Sequence, residues 1–313
     1  TATPAPFQQM IQFSESSYSN YITYNGNIAN FEFFTQSGSI IPAWIESNNS
    51  GTITVWLNLA NGVPASNSIT VYLGFASQGT NLLSSSGTTG IGEAPQLSST
   101  YAQYDDGASV FNNYWNFAGT SLPTGWEVIG RATVTVNNGV SISGGTGATY
   151  DSPGIEYTST NFGTSSFVID SLSEPNTGGT GCFGGLGTRQ TTSTSLSNYQ
   201  IVVDSGDLWG ACGSGYYSIQ YLTSSSSSST ESTSFTINQN TFYIITLIQK
   251  SSTAEGLLNY GSLATASPVS IYNPGNNYLT YLANYGGAYV QWLRTRAYPP
   301  NGVMPSYSFG SVS

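Results

Sequence analysis

Histidine is absent from this chain, and lysine and arginine together number five. Those two shortages remove whole classes of chemistry. Without an imidazole there is no Ser-His-Asp or Cys-His nucleophile, and no His-based metal centre. With so few cations against 15 carboxylates, and a net charge of −10, the surface has nothing to offer a phosphate backbone, so nucleic acid is excluded as a partner. Charged residues make up 6% of the chain, against about 25% in ordinary soluble proteins. Cysteine occurs twice, at Cys182 and Cys212. Long apolar runs are missing too. "YIITLI" at 243–248 is among the longest, far below the roughly 20 residues of a membrane-spanning helix. No leader segment precedes Thr1, which reads as a processed N-terminus.

What is present is aromatic and polar but uncharged. Aromatic residues reach 13% and hydrophobic ones 38%, so low charge here does not mean disorder. At pH 2 to 3 most carboxylates with ordinary pKa values of about 4 are neutral, and only about five cations remain. Such a chain escapes the self-repulsion that unfolds basic proteins in acid. We read this as adaptation to an acidic exterior. The two cysteines, each in a Gly-rich turn beside apolar residues, fit one disulfide of an extracellular protein, Cys182 to Cys212.

The periodicity is that of strands. "TITVWLNL" (52–59) places Ile53, Val55, Leu57 and Leu59 on one face and Thr54, Trp56 and Asn58 on the other. "NFEFFT" (30–35), "SIIPAWIE" (39–46) and "SITVYLGFA" (68–76) repeat the rhythm, and Pro42 marks an edge or a strand start. A polar connection, 78–107, separates these from a second set running from "NNYWNF" (112–117) to a final "SYSFG" strand (306–310). Within it the Ser-rich run 223–233 reads as a hairpin loop. The expected fold is therefore all-β: one sandwich over 1–100 and a jelly roll over 104–313.

The segment "NIANFEFFTQSGSIIPAWIESNNSGTITVWLNLA", followed by "NSITVYLGFA", resembles a small β-domain of unknown function found in archaeal and bacterial surface proteins. The matching positions are Pro42, Trp44, Ile45, Glu46, Thr54, Val55, Trp56 and Leu57. In that family a concanavalin A-like, laminin-G-like sandwich often follows, opening like 115–128 and closing like 290–300. The resemblance implies an extracellular, cell-surface setting, often archaeal, and no agreed catalytic residues.

The candidate chemistry is correspondingly thin. Glu46 beside Trp44 is either a sugar-stacking site or a structural carboxylate. Asp170 and Glu174 in "FVIDSLSEP" are the best carboxylate pair for a glycosidase, but they lack the alternating pattern along one strand that such a cleft needs. Asp105-Asp106 and Asp204–Asp207 are loop carboxylates that read as turn caps rather than calcium ligands. Arg294, Arg296 and Trp292 fall on one strand face as an Arg-aromatic ladder. Asn48, in Asn48-Asn49-Ser50, is a glycosylation acceptor. Trp115, Trp126, Trp209 and Tyr216 are candidate glycan contacts. The leading expectation is a non-enzymatic, extracellular structural protein, a subunit of a surface filament or layer, with no catalytic residue, metal or cofactor. Its candidate joint is the N-terminal strand, with Phe7, Met10, Ile11 and Phe13: by default this strand pairs within its own domain, and the alternative is donation to a neighbouring subunit. The competing expectation is a glycan-binding adhesin.

Overall fold

The computed structural model describes residues 1–143, 154–163, 165–175, 183–189, 200–204, 218–222, 227–231, 240–250, 253–261, 269–270, 278–284 and 287–312. The described residues form two compact units, one of residues 1–114 and 296–313, the other of residues 115–295. The fold is all-β, and each unit is built from two sheets around its own core. The last eighteen residues lie with the first unit, whereas the sequence boundaries assign them to the second.

In the first unit the strands are β1 (Phe7–Ser14), β2 (Phe31–Phe34), β3 (Ile40–Ile41), β4 (Ala43–Asn49), β5 (Thr52–Leu59), β6 (Tyr72–Phe75) and β7 (Gly92–Glu93), followed by a single helical turn, α1 (Gly107–Val110). One sheet runs β1-β5-β4-β7 and the other β3-β2-β6. Pro42 falls between β3 and β4, where the chain changes sheets and needs no ladder N–H. The inward face of β5 is the predicted one: Ile53, Val55, Leu57 and Leu59 meet Phe31, Phe33 and Ile45 in one core. Its other face is covered as well, with Trp56 1% exposed, because Val110 and Phe111 after the 78–107 connection close over it. That connection is thus more than a linker. Ile91, Glu93 and Ala94 in it are fully buried.

The second set comprises β8 (Asn113–Trp115), β9 (Trp126–Ile129), β10 (Thr133–Val136), β11 (Val140–Ser143), β12 (Gly154–Tyr157), β13 (Phe167–Pro175), β14 (Phe183–Arg189), β15 (Gln200–Asp204), β16 (Ser218–Leu222), β17 (Ser227–Glu231), β18 (Tyr243–Gln249), β19 (Thr253–Leu258), β20 (Val269–Ser270), β21 (Tyr278–Asn284) and β22 (Ala288–Ala297). One sheet runs β10-β11-β22-β13-β18-β19-β20, and the other β17-β16-β15-β14-β21-β12-β9. Inward residues of both, among them Ile169, Leu247 and Val290 from the first and Ile155, Leu186 and Tyr281 from the second, fill one core. This is the two-sheet sandwich expected from the strand rhythm.

Two expectations need correction. Ser227–Glu231, inside the supposed loop 223–233, is an edge strand paired to β16. The "SYSFG" segment joins no sheet: among the described residues, 303–312 form no ladder. At the N-terminus β1 pairs with β5 of its own chain, residue for residue from Phe7↔Leu59 to Ser14↔Thr52. Phe7, Ile11 and Phe13 are buried there, and Met10 is half-buried opposite Trp56. The apolar alternation of this strand is thus satisfied within its own domain, the first of the two pairings its sequence allows.

Candidate functional site

Most of the candidates in the first unit have a definite place. Glu46 sits at a bulge, where the pairing of β4 with β5 shifts between Ile45 and Ser47. The bulge turns its carboxylate toward the tryptophan face, where Oε2 accepts a hydrogen bond from Trp56 Nε1 at 2.8 Å. Glu46 is 3% exposed and Trp44 0%. Trp44 packs edge-on against Phe111 and Tyr114, and the Arg296 guanidinium lies 4.9 Å from the centre of the Trp56 ring. These groups form a closed, hydrogen-bonded interior rather than a sugar platform. Asn48 is committed too: its Nδ2 donates to Glu15 Oε1 at 2.7 Å, and its Oδ1 accepts from the Gly51 N–H. A glycan on Nδ2 would have to displace the Glu15 contact. Cys182, Cys212, Trp209, Tyr216 and Asp207 lie outside the described residues.

In the second unit Asp170 and Glu174 both belong to β13, four residues apart on one face. At about 3.3 Å per residue that is roughly 13 Å, beyond the 5 to 10 Å separating the two carboxyls of a glycosidase. Asp170 is fully buried. Its Oδ1 accepts from Thr246 Oγ1 at 2.8 Å and its Oδ2 from Arg294 Nε at 2.9 Å. Arg294 also donates to the Tyr260 hydroxyl and stacks 4.6 Å from the Trp292 ring centre. The carboxylate is thereby held as one half of an internal ion pair. Burial raises the Glu174 pKa above the usual carboxylate range.

The strongest electrostatic feature went unread in the sequence. The parallel pairing of β7 with β4 sets Gly92 beside Trp44 and Glu93 beside Ile45, and the 102–106 turn folds against them. Asp105 is a hub: Oδ1 accepts from Trp44 Nε1 and the Gly107 N–H, Oδ2 from the Tyr114 hydroxyl. Asp106, next to it, is 3% exposed, and neither of its oxygens has a hydrogen-bond partner among the described residues. Its carboxyl lies against Gly92, where an added Cβ would fall 1.6 Å from Oδ1. Burial, then the Asp105 charge, pushes the Asp106 pKa up to about 8. Glu93 is also enclosed. Burial raises it to about 7 although hydrogen bonds from Ser98 and Tyr24 pull the other way. Glu93 and Asp106 therefore hold protons where ordinary carboxyls have lost them. A neutral carboxyl is a poor cation ligand, and no group of metal-binding side chains occurs among the described residues. The clue in the sequence was Gly92-Glu93 set between Ile91 and Ala94, an apolar run around an acid. Gly92→Ala is expected to force Asp106 aside and cost about 1–3 kcal/mol by overpacking, read as a lower denaturant midpoint.

What the first unit leaves open is aromatic. Tyr21 and Phe75 have ring centres 5.9 Å apart, and Phe75 reaches Tyr18 at 5.5 Å. Tyr18 meets Phe309 at 6.3 Å, and Phe309 meets Tyr307 at 5.6 Å. Tyr21, Tyr307 and Phe309 are each more than 40% exposed. The contacts along the Phe309 end are edge-on, at 68° and 81°. That end of the strip is therefore ridged, whereas Tyr21 and Tyr18 lie tilted against Phe75 at 30° and 37°. In the second unit Trp115 and Tyr157 form a half-buried pair at 4.6 Å, next to Trp126, whose buried Nε1 has no partner. Exposed Glu127 beside them accepts from the Thr158 hydroxyl.

No family model matches the chain. It is 30% identical to uncharacterized protein 562 of Sulfolobus islandicus rod-shaped virus 1, across 97% of this chain. The chain spans 56% of that relative's length. Among solved structures, it is similar to the carbohydrate-binding module CBM66 from Bacillus subtilis (16% identity, 56% of this chain and 96% of that one, TM-score 0.40). It is also similar to the Bacillus licheniformis beta-glucanase (12% identity, 59% and 97%, TM-score 0.43) and to the Emp47p carbohydrate recognition domain (9%, 58% and 92%, TM-score 0.40). At this level of likeness nothing about ligand or activity is taken from them. No helix among the described residues is long and apolar enough to cross a membrane.

Proposed function

We propose that this chain is a non-enzymatic, extracellular structural protein that self-associates into a surface layer or filament, using the aromatic strip of its first unit as a contact face. The strip carries the reading. Large apolar rings gathered on an open surface mark a contact site rather than a solvated face. Tyr is favoured at such contacts because it brings a large area at low conformational cost. The ridged, edge-on Phe309 end suits interdigitation with protein side chains better than stacking on a pyranose ring. The carboxylates point the same way. Glu46, Asp105 and Asp170 are spent on internal hydrogen bonds, and Glu93 and Asp106 are enclosed. A near-uncharged surface in acid removes the repulsion that opposes packing of like subunits.

Sedimentation velocity at acid pH tests this. The full chain is expected to form large species, and Tyr21→Ser to shift the distribution toward monomer with an unchanged melting temperature. Equal association by both proteins would remove the strip from the contact.

One observation favours a second reading, a glycan-binding adhesin. The Trp115–Tyr157 pair is half-open and packs against Trp126, whose indole N–H has no hydrogen-bond partner among the described residues. Half-open aromatic rings are part of what a sugar subsite offers. A glycan panel probed at acid pH with the wild type and Trp115→Ala decides it. Wild-type binding lost in the variant supports the adhesin, and no binding rejects it.

A further inference from the structure

β1 is an edge strand, so the backbone groups along its outer side lie open to pairing. The segment after β22 runs beside that edge. The Tyr307 hydroxyl accepts from the Gln12 N–H at 2.9 Å and lies 3.4 Å from the Gln12 carbonyl, occupying both groups that an added strand would use there. Gln9 Nε2 donates to the Pro305 carbonyl at 3.2 Å. Phe309 sets its ring 6.1 Å from Phe13, on the apolar side of β1. The segment is thus matched to this edge by shape and by hydrogen bonding.

It is nevertheless loosely held. Residues 303–312 join no sheet, and Val303, Tyr307, Phe309 and Val312 are 44–69% exposed. Few buried contacts and no ladder place a segment at the low end of local stability. It is connected through Pro299-Pro300-Asn301-Gly302, in which Asn301 and Gly302 both have positive φ. A Cβ on Gly302 would fall 2.8 Å from the Tyr298 hydroxyl, so the tight turn depends on glycine. Straightening such a short, proline-stiffened turn carries the tail away from its own β1 in one move. An element that leaves its own site finds the identical site on another copy of the chain.

We infer that segment 303–312 is an exchangeable strap, which caps the β1 edge of its own chain in the monomer and the β1 edge of a second copy in the assembly. The occupant is the same segment from another copy because this chain already shows the fit. Each copy gives one tail and offers one edge, so the contact is head-to-tail and propagates unless the ring closes. This inference rests on the self-association proposed above and locates one joint of it.

The test uses the full chain carrying a photoreactive benzophenone analogue in place of Phe309. Normal and heavy-isotope preparations are mixed in equal amounts, unfolded together, and refolded at acid pH. They are then illuminated and analysed as cross-linked peptide pairs, while sedimentation reads assembly separately. With exchange, about half of the tail-to-β1 pairs are isotopically mixed in the assembled fraction, and essentially none in the monomer fraction. Assembled material whose tail-to-β1 pairs are never mixed overturns the strap and leaves self-association standing. Mixed pairs confined to closed dimers uphold the strap and overturn the filament or layer. Monomer with unmixed pairs overturns both.

Discussion

The protein is expected to lose stability as the pH is raised from about 4 to about 8, the reverse of ordinary acid denaturation. The folded-state pKa of Asp106 is about 8, against an ordinary value of 3.8, and that of Glu93 is about 7, against 4.5. A group whose folded pKa is raised binds more protons in the native state than in the unfolded one. Its contribution is complete below the unfolded pKa and disappears as the pH climbs through the folded pKa. The window is therefore about pH 4 to 8 for Asp106 and about pH 4.5 to 7 for Glu93. At about 1.4 kcal/mol per pKa unit, Asp106 alone gives an upper bound on the order of 5 kcal/mol, a large part of the margin of a typical domain. Asp106→Asn, which cannot ionise, is expected to flatten this slope and to raise the urea midpoint at pH 7 above wild type. Urea unfolding at a series of pH values reads both effects. The charge acting on Asp106 is the Asp105 carboxylate, so added salt should moderate the loss without reversing it.

The second large effect concerns the internal ion pair. Arg294→Met leaves Asp170 fully buried with Thr246 as its remaining hydrogen-bond partner among those described above, and is expected to cost about 3–5 kcal/mol. The double variant Asp170→Leu with Arg294→Met removes both charges and should recover most of that loss, since an apolar pair of similar volume is often neutral or better. A double-mutant cycle in urea measures the coupling. Lysine at 294 should not restore the wild-type midpoint, because it lacks the planar guanidinium that reaches the Tyr260 hydroxyl while stacking on Trp292. Asp170, one half of the best carboxylate pair in the sequence, is in the structure the buried partner of Arg294.

How far the sequence could be read follows from the range of each interaction. The faces of β5 were legible because strand alternation is local: Ile53, Val55, Leu57 and Leu59 point where period two sends them. The hairpin from Trp44 to Trp56 was legible from its Asn-Asn-Ser-Gly turn. The Asp170–Arg294 pair spans 124 positions, and nothing local in "FVID" or "WLRTR" announces it. Likewise Asp106 is recognisable as a trapped acid only once β7 has placed Gly92 against it, through a parallel pairing that no hairpin signal encodes. The N-terminal strand left two pairings open for a physical reason. An apolar alternating segment after Pro4 and Pro6 has the same appearance whether it pairs with its own β5 or with a neighbour. At the other end "SYSFG" has strand alternation, yet runs unpaired because the hydroxyl of Tyr307, not its backbone, meets Gln12.

We propose that this chain builds assemblies rather than catalysing a reaction, and electron microscopy of the purified chain held at pH near 3 tests it. Regular filaments or sheets made of this chain alone are the predicted result. Dispersed single particles at every concentration would contradict it.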